Sequence, residues 1–443
     1  MKVYRYPKET EWAEIVRRPH LDTTQLQATV AQVLNDVRTR GDAAVRDYEE
    51  RFDHVRLQSL AVTDEEMAEA ERLVSPELKA ALMLAHENIL SFHSAQLFHP
   101  VRSETRPGVV CTQHSIPIER VGLYIPGGTA PLFSTVLMLA TPAKFAGCGE
   151  IILCTPPTYR PGGEGPATAL DIHPAILVAA RIAGVNCIFK AGGVQAIGAM
   201  AYGTETIPKV YKIFGPGNQY VMAAKQQVSV ADVAIDMPAG PSEVCVIADD
   251  TANPQFVAAD LLSQAEHGVD SQVLLITTSE SLLDRVGEEL ALQLEQLPRK
   301  AIAAKALENS RFVLVGTLDE AMALSNRYAP EHLILQTDGW QALASKVVNA
   351  GSVFLGHYAC ESAGDYASGT NHTLPTHGYA TAYSGVNLDS FCKKITFQHL
   401  TAEGIRQIGH AVELMAEAEQ LHAHKNAMTV RLRSIEDRKK SHT

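Results

Sequence analysis

The sequence predicts an α/β protein built from two Rossmann-like, doubly wound parallel-sheet domains, with a helical N-terminal arm and a small C-terminal dimerisation segment. Two observations predict this fold. Short apolar runs of β type alternate with segments of helical periodicity, which is typical of a parallel sheet covered by helices. The alternation restarts near residue 243, so the chain of 443 residues holds two such series.

The first half of the chain begins with helices and continues as the first α/β series. Helical spacing of apolar residues predicts helices over 26–37, 64–74 and 77–97. Runs of β type then occupy 109–125 and end at the turn Pro126-Gly127-Gly128, before a predicted helix over 135–146. The series continues with strands predicted over 151–154, 186–190, 210–213 and 233–235 and helices predicted over 175–183, 194–202 and 219–228.

The second series and the C-terminus complete the pattern. Strands are predicted over 243–247, 272–277, 311–315, 333–335 and 353–355, and helices over 255–266, 279–307 and 317–328. A stretch rich in proline and glycine between Thr155 and His173 is predicted to be a surface loop. Helical spacing over 402–430 predicts a C-terminal helical region too small to bury a core of its own, so it is expected to dock elsewhere, such as on a second subunit.

Composition and charge indicate a cytoplasmic protein that acts on a small molecule. The formal net charge of -12 argues against a nucleic-acid partner, because phosphates repel an acidic surface. The N-terminus has no signal-peptide core, and no apolar run reaches the roughly 20 residues that span a bilayer. The seven cysteines are scattered without CxxC spacing and are expected to be free thiols in a reducing compartment.

The stretch from Gly356 to Ala380 is predicted to carry chemistry. It has neither helical nor strand periodicity, yet it holds three histidines together with Glu361 and Asp365 among small residues. Long loops without structure of their own are usually functional. Imidazole and carboxylate groups serve there as metal ligands, bases or proton shuttles.

Glycine-bearing turns follow three predicted strands of the first series, after Ile125, Ala191 and Phe214. Turns at the carboxyl ends of parallel strands form the crevice where such sheets bind ligands, and helix N-termini there favour phosphate. None of the three turns completes the pattern GxGxxG. On spacing alone, ordinary tight turns explain these glycines better than a nucleotide site does.

Four residues form a possible metal-ligand set. Gln264 and His267 lie at i and i+3, so a helix would present both from one face. The same spacing is typical of the solvated face of an amphipathic helix, which is the better explanation of this pair taken alone. Asp365 and His424 could complete an oxygen and nitrogen set that zinc accepts, although sequence spacing cannot bring the four together.

Glu331 and His332 place a carboxylate beside an imidazole at the start of a short apolar run. Histidine titrates near neutrality and suits general-base work. The same sequence would also be expected if Glu331 were an exposed acid and His332 a hydrogen-bonded histidine at a strand edge, without a catalytic role. Cys148 and Cys154 lie in or beside apolar segments, where thiols are usually inert, so a thiol nucleophile is not expected.

Seven segments, in order along the chain, resemble those of the histidinol dehydrogenase family. They are VGLYIPGGTAPLFSTVLMLATPAKFAGC, KIFGPGNQYV, DMPAGPSEV, DLLSQAEHG, APEHL, AGDYASGTNHTLPT and AHKNAMTVR. The likeness runs from about Arg40 to Arg431, and the ordered combination is far more specific than any one segment. The resemblance implies an NAD-dependent, zinc-requiring enzyme that oxidises L-histidinol through L-histidinal to L-histidine, a four-electron oxidation that completes histidine biosynthesis.

The resemblance also implies roles for individual residues. The implied ligands of one zinc ion per subunit are Gln264, His267, Asp365 and His424. The implied NAD contacts are Tyr124, Gln195 and Asn218. The implied contacts to the substrate L-histidinol are Ser242, Gln264, His267, His332, Asp365, Glu419 and His424. His332 would act as the general base, and Glu331 would activate the water that hydrates the aldehyde.

The family is a homodimer whose C-terminal segment crosses to the partner subunit. The resemblance therefore implies that Glu419 and His424 complete the neighbouring active site. The domain boundaries expected on this basis are an N-terminal arm over 1–20, a discontinuous α/β domain on the zinc and substrate side over 21–123 and 243–385, an α/β domain on the NAD side over 124–242, and a C-terminal helical segment exchanged between subunits over 386–443.

Other functions remain open from the residues alone. A zinc hydrolase could use Glu331 or Glu266 to activate metal-bound water and would need no nucleotide. A binding module without catalysis is a third class, against which the intact pair of Glu331 and His332 argues. Oxidation of another small alcohol is a variant of the family reaction, and the presence of Glu419 and His424 argues against it.

Overall fold

A computed structural model of the chain describes residues 1–19, 24–127, 130–157 and 171–440. Its helices are α1 (Trp12–Ile15), α2 (Thr24–Arg40), α3 (Asp42–Tyr48), α4 (Asp64–Leu73), α5 (Pro76–Ser94), α6 (Phe133–Ala146), α7 (Pro174–Ile182), α8 (Gly193–Tyr202), α9 (Gln219–Ser229), α10 (Pro254–Ala265), α11 (Glu280–Gln296), α12 (Lys300–Glu308), α13 (Leu318–Tyr328), α14 (Trp340–Ala344), α15 (Glu361–Tyr366), α16 (Ala402–Ala418) and α17 (His422–Lys440).

Its strands are β1 (Lys2–Arg5), β2 (Val101–Arg106), β3 (Val109–Pro117), β4 (Arg120–Tyr124), β5 (Glu150–Thr155), β6 (Cys187–Lys190), β7 (Lys212–Phe214), β8 (Ala234–Ile235), β9 (Glu243–Ala248), β10 (Gln272–Thr277), β11 (Arg311–Leu314), β12 (His332–Gln336), β13 (Ser352–Leu355) and β14 (Cys392–Leu400). Gly128 of the first glycine turn and residues 158–170 of the predicted surface loop lie outside the described residues.

Five parallel strands form one sheet in the order β6-β5-β4-β7-β8. Helices α5, α6 and α7 pack on one face and α2, α8 and α9 on the other, through buried aliphatic side chains. Because both faces are covered, the strands are nearly continuous apolar runs. The direction of winding reverses between β4 and β7, and such a switch point is where these sheets form a ligand crevice.

Six parallel strands form a second sheet in the order β1-β11-β10-β9-β12-β13. Helices α10, α11 and α12 cover one face, and α13 and α14 cover the other. Apart from the added edge strand β1, the winding repeats that of the first sheet, with its switch point between β9 and β12. Two doubly wound parallel sheets are thus present, which confirms the predicted fold class.

Residues 97–117 and 392–443 form a compact unit separate from the rest of the chain, which is the first unit. Within this second unit, β14, β3 and β2 make an antiparallel sheet, and α16 packs against α17. Across the described parts of the chain, no helix combines the length and the apolar character needed to cross a membrane.

Two predicted helices are each divided in the structure. The helix predicted over 279–307 is α11 followed by α12, because Leu297 is extended and the next residue, Pro298, cannot supply a helical N–H. The helical region predicted over 402–430 is α16 followed by α17, and Gln420 between them takes a left-handed φ of 60°. The stretch after Gly356, predicted to lack structure of its own, contains the short helix α15.

Candidate active site

The predicted catalytic pair lies at the switch point of the six-stranded sheet. Helix α13 ends at Tyr328, and Ala329 takes a left-handed φ of 51° before Pro330. This reversal directs the chain into β12, which begins at His332, with Glu331 immediately before it. Both side chains are buried. They lie at the amino end of β12, whereas sheets of this type usually bind ligands at the carboxyl ends of their strands.

Hydrogen bonds from the neighbouring strand β9 orient both groups. The main-chain N–H of Glu243 donates to Glu331 Oε2 at 2.9 Å, and the carbonyl of Glu243 lies 3.2 Å from His332 Nδ1. Because a carbonyl can only accept, the proton of His332 is on Nδ1. The lone pair of the neutral ring is then on Nε2, which faces Asp365 Oδ1 at 3.6 Å. The basic nitrogen is therefore held toward the candidate metal ligands.

Side chains from two helices converge in front of this nitrogen. Ligand atoms of His267, Glu361 and Asp365 all lie within 4.8 Å of one another. Glu361 and Asp365 are at i and i+4 on α15, so they project from one face of that helix. Gln264, in the last turn of α10, donates from Nε2 to Glu331 Oε2 at 3.2 Å. The structure thus brings the catalytic pair beside three of the four ligand candidates.

Several buried atoms at this place have no hydrogen-bond partner among the described residues. They are Gln264 Oε1, Glu361 Oε2, Asp365 Oδ1 and His332 Nε2. Buried polar atoms are normally satisfied, and each one that is not costs about 1–3 kcal/mol. The three oxygen atoms carry lone pairs, and together with the His267 imidazole they form a donor set that suits zinc. A divalent cation therefore fits the chemistry of this cluster.

Burial and crowding shift the pKa values of the acidic groups and the imidazole in the cluster. Burial raises the pKa of Glu331 to about 8 and raises that of Glu361 well above its usual value. Burial lowers the pKa of His332, but the carboxylates of Glu361, Glu331 and Asp365 outweigh it and raise this pKa to about 10. These shifts follow from the desolvation of several carboxylates that lie close together around one imidazole.

The predicted cofactor contacts line the carboxyl edge of the five-stranded sheet. Tyr124 ends β4, and its hydroxyl accepts from the N–H of Gly193 at 3.1 Å. Gln195, in the first turn of α8, donates from Nε2 to the buried Glu49 at 2.8 Å, and its Oε1 has no partner among the described residues. Asn218 caps α9 by accepting from two main-chain N–H groups of that helix. Tyr124 is therefore the last residue of β4, and Gln195 and Asn218 follow β6 and β7, around the switch point.

The turn before Asn218 depends on one glycine. Gly215 has a φ of +124°, and a Cβ there would lie 2.1 Å from the carbonyl oxygen of Tyr124. The buried pair Lys225 and Asp236 holds the same residue, because Lys225 Nζ donates to its carbonyl at 2.8 Å and Asp236 Oδ2 accepts from its N–H at 2.8 Å. No other residue type fits this close approach between turns.

A hydrogen-bonded link joins the crevice to the cluster. Thr135 lies in the first turn of α6, and its Oγ1 is 3.0 Å from Nε2 of His372. Nδ1 of His372 in turn donates to the main-chain carbonyl of Asp365 at 3.0 Å. The helix that follows the first glycine turn is thereby connected to the helix that carries two candidate ligands.

The remaining predicted residues lie at the edges of the site or in the second unit. Ser242 is half-buried directly before β9. Glu419 follows the end of α16 and His424 lies in the first turn of α17, and both are exposed. Their assignment to the substrate and the metal stays a prediction.

Sequence analysis missed three buried groups of this region. Glu361 was noted in the loop but not proposed as a ligand, although its i,i+4 spacing to Asp365 was a usable signal. Asp260 accepts from Gln336 Nε2 at 2.6 Å, and burial raises its pKa to about 7. Glu49 lies within a π-helical segment beneath the crevice, and no sequence signal connects it to Gln195.

Comparison with known proteins gives a consistent result over the whole chain. A sequence profile described as histidinol dehydrogenase matches residues 16–432. The chain is 63% identical over 435 residues to a histidinol dehydrogenase of Bacteroides thetaiotaomicron, covering 98% of this chain and 100% of the relative. It is 49% identical to one of Vibrio vulnificus, covering 98% and 99%. It is also similar to the crystal structure of a histidinol dehydrogenase from Elizabethkingia anophelis, with a TM-score of 0.94, 54% identity and coverage of 98% and 99%.

Proposed function

The chain belongs to the histidinol dehydrogenase family, an NAD-dependent oxidoreductase family that performs the final steps of histidine biosynthesis. On this basis we propose that zinc and L-histidinol bind at the cluster around His267 and Asp365. The observation that carries the proposal is the convergence of buried, partnerless oxygen atoms beside an imidazole of fixed tautomer. The product would be L-histidine, formed by two successive hydride transfers.

Four residues would hold the zinc ion. Gln264, His267 and Asp365 belong to the first unit, and His424 would complete the set from a partner subunit. Bound there, zinc would supply positions for the imidazole and amino nitrogens of L-histidinol and so hold the amino alcohol against the base. Ser242 and Glu419 would contact the same substrate. Support for the metal comes from the donor set and from the excess of buried carboxylates, not from any single residue.

His332 would remove the hydroxyl proton in both oxidations. A hydride leaves carbon readily only when the attached oxygen carries alkoxide character, so a base must act at that oxygen. In the neutral imidazole that acts as the base, the lone pair is on His332 Nε2 and faces the cluster, because the Nδ1 proton is donated to the carbonyl of Glu243. NAD, bound near Tyr124, Gln195 and Asn218, would accept the hydride. The partnerless Oε1 of Gln195 is available to such a ligand.

Glu331 would act between the two oxidations. The aldehyde must gain water before a second hydride can leave, and a buried carboxylate can accept a proton from that water. Oε2 of Glu331 is fixed by the N–H of Glu243, so the carboxylate is oriented before substrate arrives.

We also propose that the protein is a cytoplasmic homodimer in which the second unit of each subunit contacts the partner subunit. Large apolar side chains of this unit are exposed to solvent, among them Phe397, Leu414, Met415 and Leu421. Exposed apolar groups of this number are typical of a surface that another chain covers. All seven cysteines are free thiols, and we expect them to stay reduced in the cytoplasm.

One experiment tests substrate, cofactor and metal together. Purified protein loaded with zinc is incubated with L-histidinol and excess NAD, and NADH and L-histidine are counted at completion. The proposal requires about two NADH for each L-histidinol consumed, with the metal content near one per chain. A yield of one NADH, or histidine formed without NADH, would contradict it. An inactive protein that binds zinc but not NAD would favour a hydrolase instead.

A further inference from the structure

We infer that Arg18 and Glu243 form a positioning pair that holds the catalytic residues Glu331 and His332 in register, a role that rests on the proposed function. Arg18 belongs to the segment between α1 and α2, and Glu243 is the first residue of β9. Neither residue is among the predicted ligands or substrate contacts. The inference depends on how Glu243 is held at both its side chain and its main chain.

The side chains form a buried, two-point ion pair. Arg18 Nε donates to Glu243 Oε1, and Arg18 Nη2 donates to Glu243 Oε2 at 2.8 Å. The side chains of Arg18 and Glu243 are only 12% and 3% exposed. Arg18 Nη2 also donates to the carbonyl of Tyr328 at 2.7 Å, and the guanidinium carbon lies 4.2 Å from the centre of the Tyr328 ring. A planar guanidinium meets all these contacts, which an ammonium group cannot do.

The main chain of Glu243 touches both reacting groups. Its N–H donates to Glu331 Oε2 at 2.9 Å, and its carbonyl accepts from His332 Nδ1 at 3.2 Å. One residue therefore orients the carboxylate and fixes the tautomer of the base. A small displacement of Glu243 would move both contacts at the same time.

The same carboxylate is tied to the loop that carries the candidate ligands. Glu243 Oε1 accepts from the main-chain N–H of His377 at 3.0 Å. The Tyr328 carbonyl, the other acceptor of Arg18, precedes the turn into β12. Arg18 is thus hydrogen-bonded directly to the chain just before the catalytic pair and, through Glu243, is linked to the loop after it. Removing it would leave a buried carboxylate without its cation and free the first residue of β9 to move.

The test compares three single substitutions in the full-length, zinc-loaded protein. Arg18→Met removes the guanidinium while keeping much of the side-chain length, and Arg18→Lys keeps the charge but loses the two-point geometry. Arg5→Met is the matched control, because Arg5 lies in the same N-terminal region and pairs with Glu280 on the exposed surface. For each variant we would measure zinc content, melting temperature, KM for L-histidinol and NAD, and kcat per bound zinc.

A positioning role predicts a specific split between these quantities. Arg18→Met should lower kcat per bound zinc roughly 10- to 100-fold, as expected for a misplaced catalytic group, while both KM values change less than about threefold. Arg18→Lys should recover part of that loss but stay at least about fivefold below wild type. Arg5→Met should keep wild-type kcat.

Other outcomes would overturn the inference. If a folded Arg18→Met or Arg18→Lys protein keeps wild-type kcat per bound zinc, the pair only stabilises the fold, even where the melting temperature is lower. If bound zinc is lost in parallel with activity, the pair of Arg18 and Glu243 supports the loop that carries the candidate zinc ligands and does not position the catalytic residues. If Arg18→Met does not fold, Arg18→Lys alone decides between these outcomes. An inactive wild-type protein would instead contradict the proposed function itself, so the two failures are distinguishable.

Discussion

His332 Nε2 lies 3.6 Å from Asp365 Oδ1, so the candidate base faces a candidate metal ligand across a buried space. The two residues come from different parts of the fold, one at the start of β12 and the other on α15. Because Glu243 accepts the Nδ1 proton, only Nε2 is available for proton transfer. Base and metal would therefore act on one substrate through different residues, and their effects should be separable by substitution.

Replacing His332 by Asn should abolish turnover while metal binding is retained. The amide of Asn can still donate to the carbonyl of Glu243, but it provides no base in the position of Nε2. We expect kcat to fall about 10²- to 10⁴-fold, the usual contribution of a general base, with zinc content unchanged. His357→Asn is the control, since His357 lies outside the cluster and pairs with Asp338. Full activity of the His332 variant would exclude it as the base.

Metal removal should lower stability as well as activity. A ligand that binds only the folded state stabilises it by about 2.7 kcal/mol at a free concentration 100 times Kd. Zinc added to chelator-treated protein should therefore raise the melting temperature, and Asp365→Asn should lose most of this rise. Asp338→Asn, a change of the same kind at an exposed residue, should keep it. An equal rise in the Asp365 variant would argue against ligation by that residue.

Much of the fold could be predicted because buried parallel strands leave a clear signal. Strands such as β9 and β10 are apolar throughout, and their fully buried side chains explain the pattern. Three strands were not predicted: β1, β2 and β14 are mostly exposed, so no apolar alternation marks them. β1 and β14 are held by backbone pairing to β11 and β3, partners that are distant in sequence, whereas β2 forms a hairpin with the neighbouring strand β3.

The site was harder to predict than the fold. Gln264 and Glu331 are 67 residues apart and hydrogen-bond only because α10 returns the chain to the amino edge of the sheet. Spacing could mark each as a candidate but could not join them. Arg18 and Glu243 are 225 residues apart and carry no local pattern at all. Only the folded chain identifies such contacts.

The turn at Gly215 gives a prediction about cofactor binding. Gly215→Ala would place a Cβ 2.1 Å from the Tyr124 carbonyl in a left-handed conformation, at a cost of about 1–3 kcal/mol or more. We expect a lower melting temperature and a raised KM for NAD. Gly287→Ala is the control, because Gly287 lies inside α11 with nothing within 4 Å of the added methyl. It should gain about 0.5–1 kcal/mol. A Gly215 variant as stable as wild type would refute the steric argument.

Glu49 predicts a pH dependence of stability. Burial raises its pKa to about 8 in the folded state, against about 4.3 when the carboxyl is in water. The folded protein therefore holds a proton that the unfolded chain releases. The contribution of Glu49 to the free energy of unfolding is therefore fully present below its unfolded pKa and is lost as pH rises through its folded pKa. The loss is at most about 1.4 kcal/mol per pH unit. Wild type should lose roughly 2 kcal/mol between about pH 6 and about pH 8 from this group.

Glu49→Gln should remove that component, because an amide reproduces the protonated carboxyl and still accepts from Gly192 and Gln195. Urea unfolding at several pH values measures the difference, and the variant should become the more stable protein toward pH 8. Glu50→Gln is the control, since the neighbouring Glu50 forms an exposed pair with Arg56. Parallel pH curves for wild type and the Glu49 variant would contradict the raised pKa.

Shared active sites predict that two inactive variants can restore each other. Subunits carrying His332→Asn and subunits carrying His424→Ala are unfolded together and refolded. If His424 serves the partner, half of the dimers combine an intact His332 with an intact His424 in one of their two sites. About a quarter of wild-type activity should then return. Mixing His332→Asn with Glu331→Gln is the control, because both changes lie in the same unit and no pairing produces an intact site. Recovery in neither mixture would mean that His424 acts within its own chain, and an active His424→Ala protein before mixing would mean that His424 has no part in the site.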